Sequence, residues 1–169
     1  IHHTSAGATD ITLGKNVTAT GGASGNGGVV TVMNDNGNIA IDAAIDVSGN
    51  GSRNGGTIQL VSAGASSSIT QTGATASSAL LATGATAGLL KVTSADTVSL
   101  QNPANDVQTL AATVVTQNRD FSYTDANSLD IGTVAAAGSL TAPAGKSAAQ
   151  AAMSGIVTDG NVNVTALGA

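Results

Sequence analysis

The sequence of 169 residues contains no cysteine, no tryptophan and no glutamate, and only one phenylalanine, one tyrosine and two prolines. Without cysteine there are no disulfides and no thiolate metal sites. With almost no aromatic rings, the interior cannot resemble that of an ordinary globular enzyme, where rings supply much of the buried area. Val, Ile, Leu and Ala must fill it instead, so the core is narrow. All ten acidic residues are Asp. Asp favours turns through hydrogen bonds to nearby backbone, whereas Glu favours helices; together with 22 glycines this points to a turn-rich, helix-poor fold. Only 9% of residues are charged and mean hydropathy is +0.22, the opposite of a disordered chain. Lys15, Arg53, Lys91, Arg119 and Lys146 are scattered and the net charge is −5, so nucleic acid is not an expected partner. No run approaches the ~18 apolar residues of a membrane-spanning helix. The start, "IHHTSAGATD", lacks an initiator Met and the regions of a signal peptide, which reads as a piece of a longer chain.

What is present is a period. At an offset of 28, Ile11 and Leu13 match Ile39 and Ile41, Val17 matches Ile45, and Val30 and Val32 match Ile58 and Leu60. Further on the offset becomes 32, aligning Thr57 to Gly64 with Leu89 to Asp96. At 31, Leu90, Val92, Val98 and Leu100 fall on Phe121, Tyr123, Leu129 and Ile131, and the last copy places Val162 and Val164 on Leu129 and Ile131. Each unit is an apolar-x-apolar strand, a polar corner and a second such strand, with a third short apolar segment in several units. Period-2 alternation bounded by Gly and Asn is a strand with one buried face.

Strands this short, with no helix-length connection between them, cannot form βαβ crossovers. They can form a coil in which each strand stacks on its equivalent one turn later. The expected fold is all-β: one single-stranded parallel β-helix over 1–169, with about six coils and variable excursions near 101–120 and 132–155. The Ala-rich stretch from Gly145 to Gly155 reads as one or two helical turns or a loop.

The corners contain Asn36, Asn38, Asp96, Asp125, Asn127, Asp159 and Asn161. Asn, Asp and Gly tolerate the conformations of sharp bends, and Asx side chains satisfy turn amides. These residues are expected to be structural, with no catalytic, cofactor or metal residue among them.

The stretches Gly37 to Gly64 and Val98 to Val134 resemble repeats of filamentous-haemagglutinin-like exoproteins, the large adhesins of bacterial two-partner secretion. That resemblance implies a right-handed β-helical shaft, an extracellular or cell-surface location, and a stiff spacer used in attachment. The expected partners are further coils of the same chain or like copies stacked end to end, and a host or matrix surface.

Other chemistries fit less well. His2 and His3 could bind a metal, but they lie at an expected frayed end without a third ligand nearby. Gly25 to Val32 is similar to calcium-binding nonapeptide repeats, except that Val30 stands where an Asp ligand is needed. A β-helical polysaccharide-active enzyme would use the charged patch Asn118 to Asp125, with Arg119, Asp120, Tyr123 and Asp125; alternation splits that patch between two faces. Ice binding would need a Thr-x-Thr array, but Thr18 and Thr20 align with Asp46 and Ser48.

Overall fold

The computed structural model describes residues 1–73, 75–86, 88–137, 139–141, 147–149 and 151–168. The chain winds into a parallel β-solenoid of about six coils with three walls, A, B and C. Wall A stacks His2–His3, Val29–Asn34, Thr57–Ser62, Leu89–Ser94 and Thr109–Val114 in parallel register. Wall B stacks Ile11–Leu13, Ile39–Ile41, Ile69–Gln71, Val98–Leu100, Phe121–Asp125 and Val162–Ala166. Wall C is shorter, with Val17–Thr18, Ile45–Asp46 and Leu80–Leu81, and it ends in one bridge from Leu81 to Asp106. His2 and His3 are thus the first rung of wall A rather than a frayed end, and the His2 imidazole bonds Asp35 Oδ1 at 2.9 Å. Among the described residues no helix is long and apolar enough to cross a membrane.

Alternation decides which side chains enter the tube. Val30, Ile58, Leu90 and Leu110 make one inward column; Ile39, Ile69, Val98 and Phe121 make another, and all but Val30 are fully excluded from solvent. Because stacked strands lie ~4.8 Å apart, like residues meet like along the axis, and branched aliphatics pack without needing wide rings. The two aromatics, Phe121 and Tyr123, both point inward in the coil where wall C has no strand.

Each corner carries a polar column. Asp10, Asn38, Ser68, Thr97, Asp120 and Asn161 each stand just before a wall B strand. Asn38 donates its backbone and side-chain N–H to Asp10 Oδ1 at 2.9 and 3.1 Å, and its own Oδ1 accepts from the Ser68 amide and hydroxyl at 2.8 and 3.0 Å. Asn161 repeats the same two-pronged donation to Asp120 Oδ1, at 2.8 and 3.1 Å. Inside this corner the fully buried Asn34, Ser62 and Ser94 donate to corner carbonyls, so the bend has hydrogen bonds on both of its sides. At the corner from wall C to wall A, Asn54 accepts from Thr86 and donates its amide to Asn26 Oδ1. Neighbouring coils touch there through backbone: a Cβ on Gly27 would lie 1.7 Å from the Val47 carbonyl oxygen, and one on Gly55 2.0 Å from that of Ala82. Only glycine fits such an approach.

The coils do not keep one length. After Leu80–Leu81, the chain first makes a wide loop past Thr83 and Gly84 before reaching wall A at Leu89; one coil later it passes from Asp106 to Thr109 almost directly. The stretch 101–120 therefore carries a full wall A strand, Thr109–Val114. This corrects the alignment at an offset of 31. Phe121 and Tyr123 pair with Val98 and Leu100, Leu90 pairs with Leu110, and Val162 and Val164 pair with Phe121 and Tyr123. A shortened coil brings a wall B strand to the spacing where a wall A strand was expected, and both have the same alternation.

The last rung of wall A is split. Asp130–Ile131 pairs with Thr109 and Leu110, Ile156–Val157 pairs with Ala112 and Thr113, and the described residues between them leave the coil opposite Ala111. The described residues of 132–155 thus form an arm. Thr133–Val134 runs antiparallel to Met153–Ser154, and Ser139–Thr141 antiparallel to Ser147–Ala149. In the Ala-rich stretch, 147–149 and 153–154 are strands rather than helical turns, while 145, 146 and 150 lie outside the described residues.

Candidate functional site

The sequence singled out one charged patch, and the coil disperses it. Arg119 Nε pairs with Asp96 Oδ1 at 3.2 Å across the corner between walls A and B. Asp120 receives Asn161. Tyr123 and Asp125 point into the tube. Of the expected corner residues, Asn36, Asn38, Asp96, Asp159 and Asn161 do lie between walls A and B. Asn36 donates to the Ser5 carbonyl, Asp96 accepts from the Thr97 amide at 2.6 Å, and Asp159 is exposed. Asp125 and Asn127 do not belong to that corner: Asp125 is the last, inward residue of Phe121–Asp125, and Asn127 begins the return to wall A.

Asp125 is a fully buried carboxylate. The Tyr123 hydroxyl donates to its Oδ2 at 2.8 Å and the Val107 amide at 3.1 Å, while the Asn127 amide donates to Oδ1 at 2.9 Å. Burial raises the Asp125 pKa above the ordinary carboxylate range; the three donors pull it down by less, and the charge on Asp106 adds to the rise. Burial, and then the Asp125 charge, likewise push the Tyr123 hydroxyl far above its usual range. The folded protein therefore holds the Asp125 proton to higher pH than the unfolded chain does. Its stabilising share is complete below the unfolded value of 3.8 and is lost as pH rises through the folded value. The expected result is that Asp125→Asn removes this fall. Urea midpoints of both proteins, measured at about pH 4 and about pH 7, should show a smaller acid-to-neutral loss in the variant; parallel losses would contradict it.

The arm covers wall A. Its base is pinned by Gly132 N–H to the Leu110 carbonyl at 3.1 Å and by Ala112 N–H to the Gly155 carbonyl at 2.9 Å. From there Thr133–Val134 packs on Thr109–Val114 and Leu89–Ser94, with Val134 fully buried. Further out, Lys91 Nζ donates to the Ala151 carbonyl at 2.8 Å, and Gln59 Nε2 to that of Ala137. Gln59, Lys91 and Ala111 are in-register neighbours whose side chains point away from the tube, and each is at most 1% exposed. One rung earlier their register neighbour Thr31 is half-buried and accepts from Gln59 Nε2 at 3.2 Å. Burial lowers the Lys91 pKa, since an ammonium loses hydration under the arm. Nothing in the local sequence marks Gln59 and Lys91, which look like ordinary outward polar residues of an alternating strand.

A second feature follows from the shortened coils. Where the wide loop of one coil overhangs the tight turn of the next, a recess of about 510 Å³ opens at the corner between walls C and A. Thr83, Asp106, Gln108, Thr109, Asn127 and Asp130 line it. Asn127 Nδ2 donates to Asp106 Oδ2 at 2.9 Å, and Gln108 Nε2 to the Gly84 carbonyl at 3.3 Å. Arg119 is absent from this lining. Among the described residues no three His, Asp, Glu or Cys side chains gather as a metal centre requires.

Comparison with protein families, characterised proteins and solved structures gives no match.

Proposed function

We propose that this chain is a shaft segment of a secreted bacterial surface protein of the filamentous-haemagglutinin-like kind, a non-catalytic, stiff spacer that serves attachment. The observation that supports the reading is the axial continuity of the ladder: wall B runs unbroken through six strands, with Asp10–Asn38–Ser68 and Asp120–Asn161 linking successive corners. Backbone bonds directed along the axis resist bending and extension together. The charged groups of the Asn118 to Asp125 patch are used within the wall, Arg119 by Asp96 and Asp120 by Asn161. At the last coil, Val162–Ala166 is paired on one side only among the described residues, and Val157 and Val162 are 57% and 52% exposed. Such an edge suits further coils of the same polypeptide or a like copy.

The proposed location is the outer surface of the cell. Antibodies raised against this segment should label intact cells of the producing bacterium; labelling only after the cells are opened would overturn the reading.

A further inference from the structure

We propose that the recess between walls C and A is a binding site for a short neutral saccharide. The site is independent of the shaft reading, because it rests on the local shortening of two coils rather than on axial continuity.

Shape comes first. The recess spans three coils along the axis, from Thr83 on the overhanging loop, through Asp106 and Gln108, to Asn127 and Asp130. Its volume of about 510 Å³ falls within the ~300–1,000 Å³ of small-molecule clefts and is far below what a folded partner needs. Its lining follows successive stacked coils, which suits a linear ligand.

The lining then selects the chemistry. It offers carboxylates from Asp106 and Asp130, amides from Gln108 and Asn127, and hydroxyls from Thr83, Thr109 and Ser128, with no large apolar side chain. A ligand dense in hydroxyls can answer both donors and acceptors at these positions. Planar carboxylate and amide groups are able to meet two adjacent hydroxyls at once, as vicinal diols present them.

Several of these side chains are held before any ligand arrives. Asn127 is fixed by its side-chain bond to Asp106 and by its amide bond to the buried Asp125 at 2.9 Å. Gln108 is held by the Gly84 carbonyl and accepts from the Gly88 amide at 3.4 Å, while its backbone carbonyl accepts from Asp130 N–H at 2.9 Å. Groups pre-set in this way lose less freedom on binding.

Charge narrows the class further. Among the described residues two Asp and no Lys or Arg line the recess, so uronates, sialylated sugars and phosphates are repelled. No aromatic ring is available for stacking, so affinity rests on hydrogen bonds and is modest for a single site.

The test uses the intact 169-residue chain, isotopically labelled, with backbone amide shifts followed by NMR. The probes are maltotriose, cellotriose, chitotriose and mannotriose, each to a concentration on the order of 10 mM, compared with trigalacturonate and with calcium chloride alone. The expected result is saturable shifts at Gln108, Thr109, Asn127 and Asp130 with at least one neutral trisaccharide. Asp130→Ala, at an exposed position, should weaken that binding by about tenfold or more while leaving the circular dichroism unchanged. Silence from all four neutral sugars would overturn the proposal, as would equal shifts with trigalacturonate, the same shifts from calcium alone, or undiminished binding in the variant.

Discussion

Asn105→Ala should cost the fold about 3–4 kcal/mol, an unusually large effect for a neutral polar residue. The Asn105 side chain is fully buried and connects three successive coils. Its Oδ1 accepts from the Leu80 amide at 2.9 Å and from Gln71 Nε2 at 2.7 Å. Its Nδ2 donates to the Leu100 and Thr124 carbonyls at 3.2 and 3.1 Å and to Gln71 Oε1 at 3.1 Å. Alanine removes all five bonds and leaves a buried amide and two carbonyls without that partner, each a cost of about 1–3 kcal/mol before relaxation. The interior is too narrow to rearrange around the loss, because inward columns of adjacent coils are already in contact. The expected reading is a fall in the urea midpoint with an unchanged slope. Asn105→Asp keeps the acceptor for Leu80 but turns oxygen toward the Leu100 and Thr124 carbonyls, so it should not rescue. A midpoint within experimental error of the parent would show that this amide network does not bind the coils together.

Excising the arm should expose wall A without unwinding the coil. The split rung sets the design: Ile131 lies opposite Leu110 and Ile156 opposite Ala112, so a single residue opposite Ala111 restores a continuous strand. Replacing 132–155 with one glycine should therefore retain the β spectrum. Lys91 is then released from the Ala151 carbonyl and regains hydration, while the outward Gln59 loses the Ala137 carbonyl and meets water. In the parent, amine-directed acylation should proceed at exposed Lys15 and be suppressed at Lys91, where reaction requires the arm to open. In the excised protein the rate at Lys91 should rise by more than about tenfold relative to Lys15, read by peptide mass spectrometry. Equal Lys91 rates in the two proteins would show that the arm does not rest on wall A.

Much of this architecture is legible in the residues, and the limits have physical causes. From Ile11 to Ser62 the coils share one length, so text and register coincide: Ile11 meets Ile39, Val17 meets Ile45 and Val32 meets Leu60. Beyond Gln101 the tube narrows and the text misleads. Inward alternation is identical on walls A and B, so Tyr123 can be laid on Val92 by pattern although it stacks on Leu100. The stretch "YTDANSLDI" looks like the corner "VTSADTVSL", yet it runs in the opposite sense, from wall B toward wall A. Asp125 shows the same trap in one residue. Its type suggests a bend, but its spacing from Phe121 and Tyr123 places it inside, where a tyrosine hydroxyl and two amides solvate it.

The interruption between 132 and 155 is visible in the sequence as a break in the period. Its landing place is not, because the covering of Gln59 and Lys91 depends on where the arm leaves the coil. The recess is less visible still. It arises from the difference in length between two neighbouring coils, and no single residue of its lining carries that difference.

The central claim is that the coils stack in one straight, stiff column. It is tested most directly between residues that share an outward column of wall B. Thr12, Ala40, Thr70, Ser99, Ser122 and Asn163 are successive register partners, and Thr12 and Asn163 are exposed. The chain has no cysteine, so Thr12→Cys with Asn163→Cys gives two unambiguous attachment points for spin labels. Five strand spacings place these Cα atoms roughly 24 Å apart. Dipolar spectroscopy should return one narrow distance distribution consistent with that separation once the label arms are included. A broad distribution, or one centred well away from it, would contradict both the register and the stiffness on which the shaft reading depends.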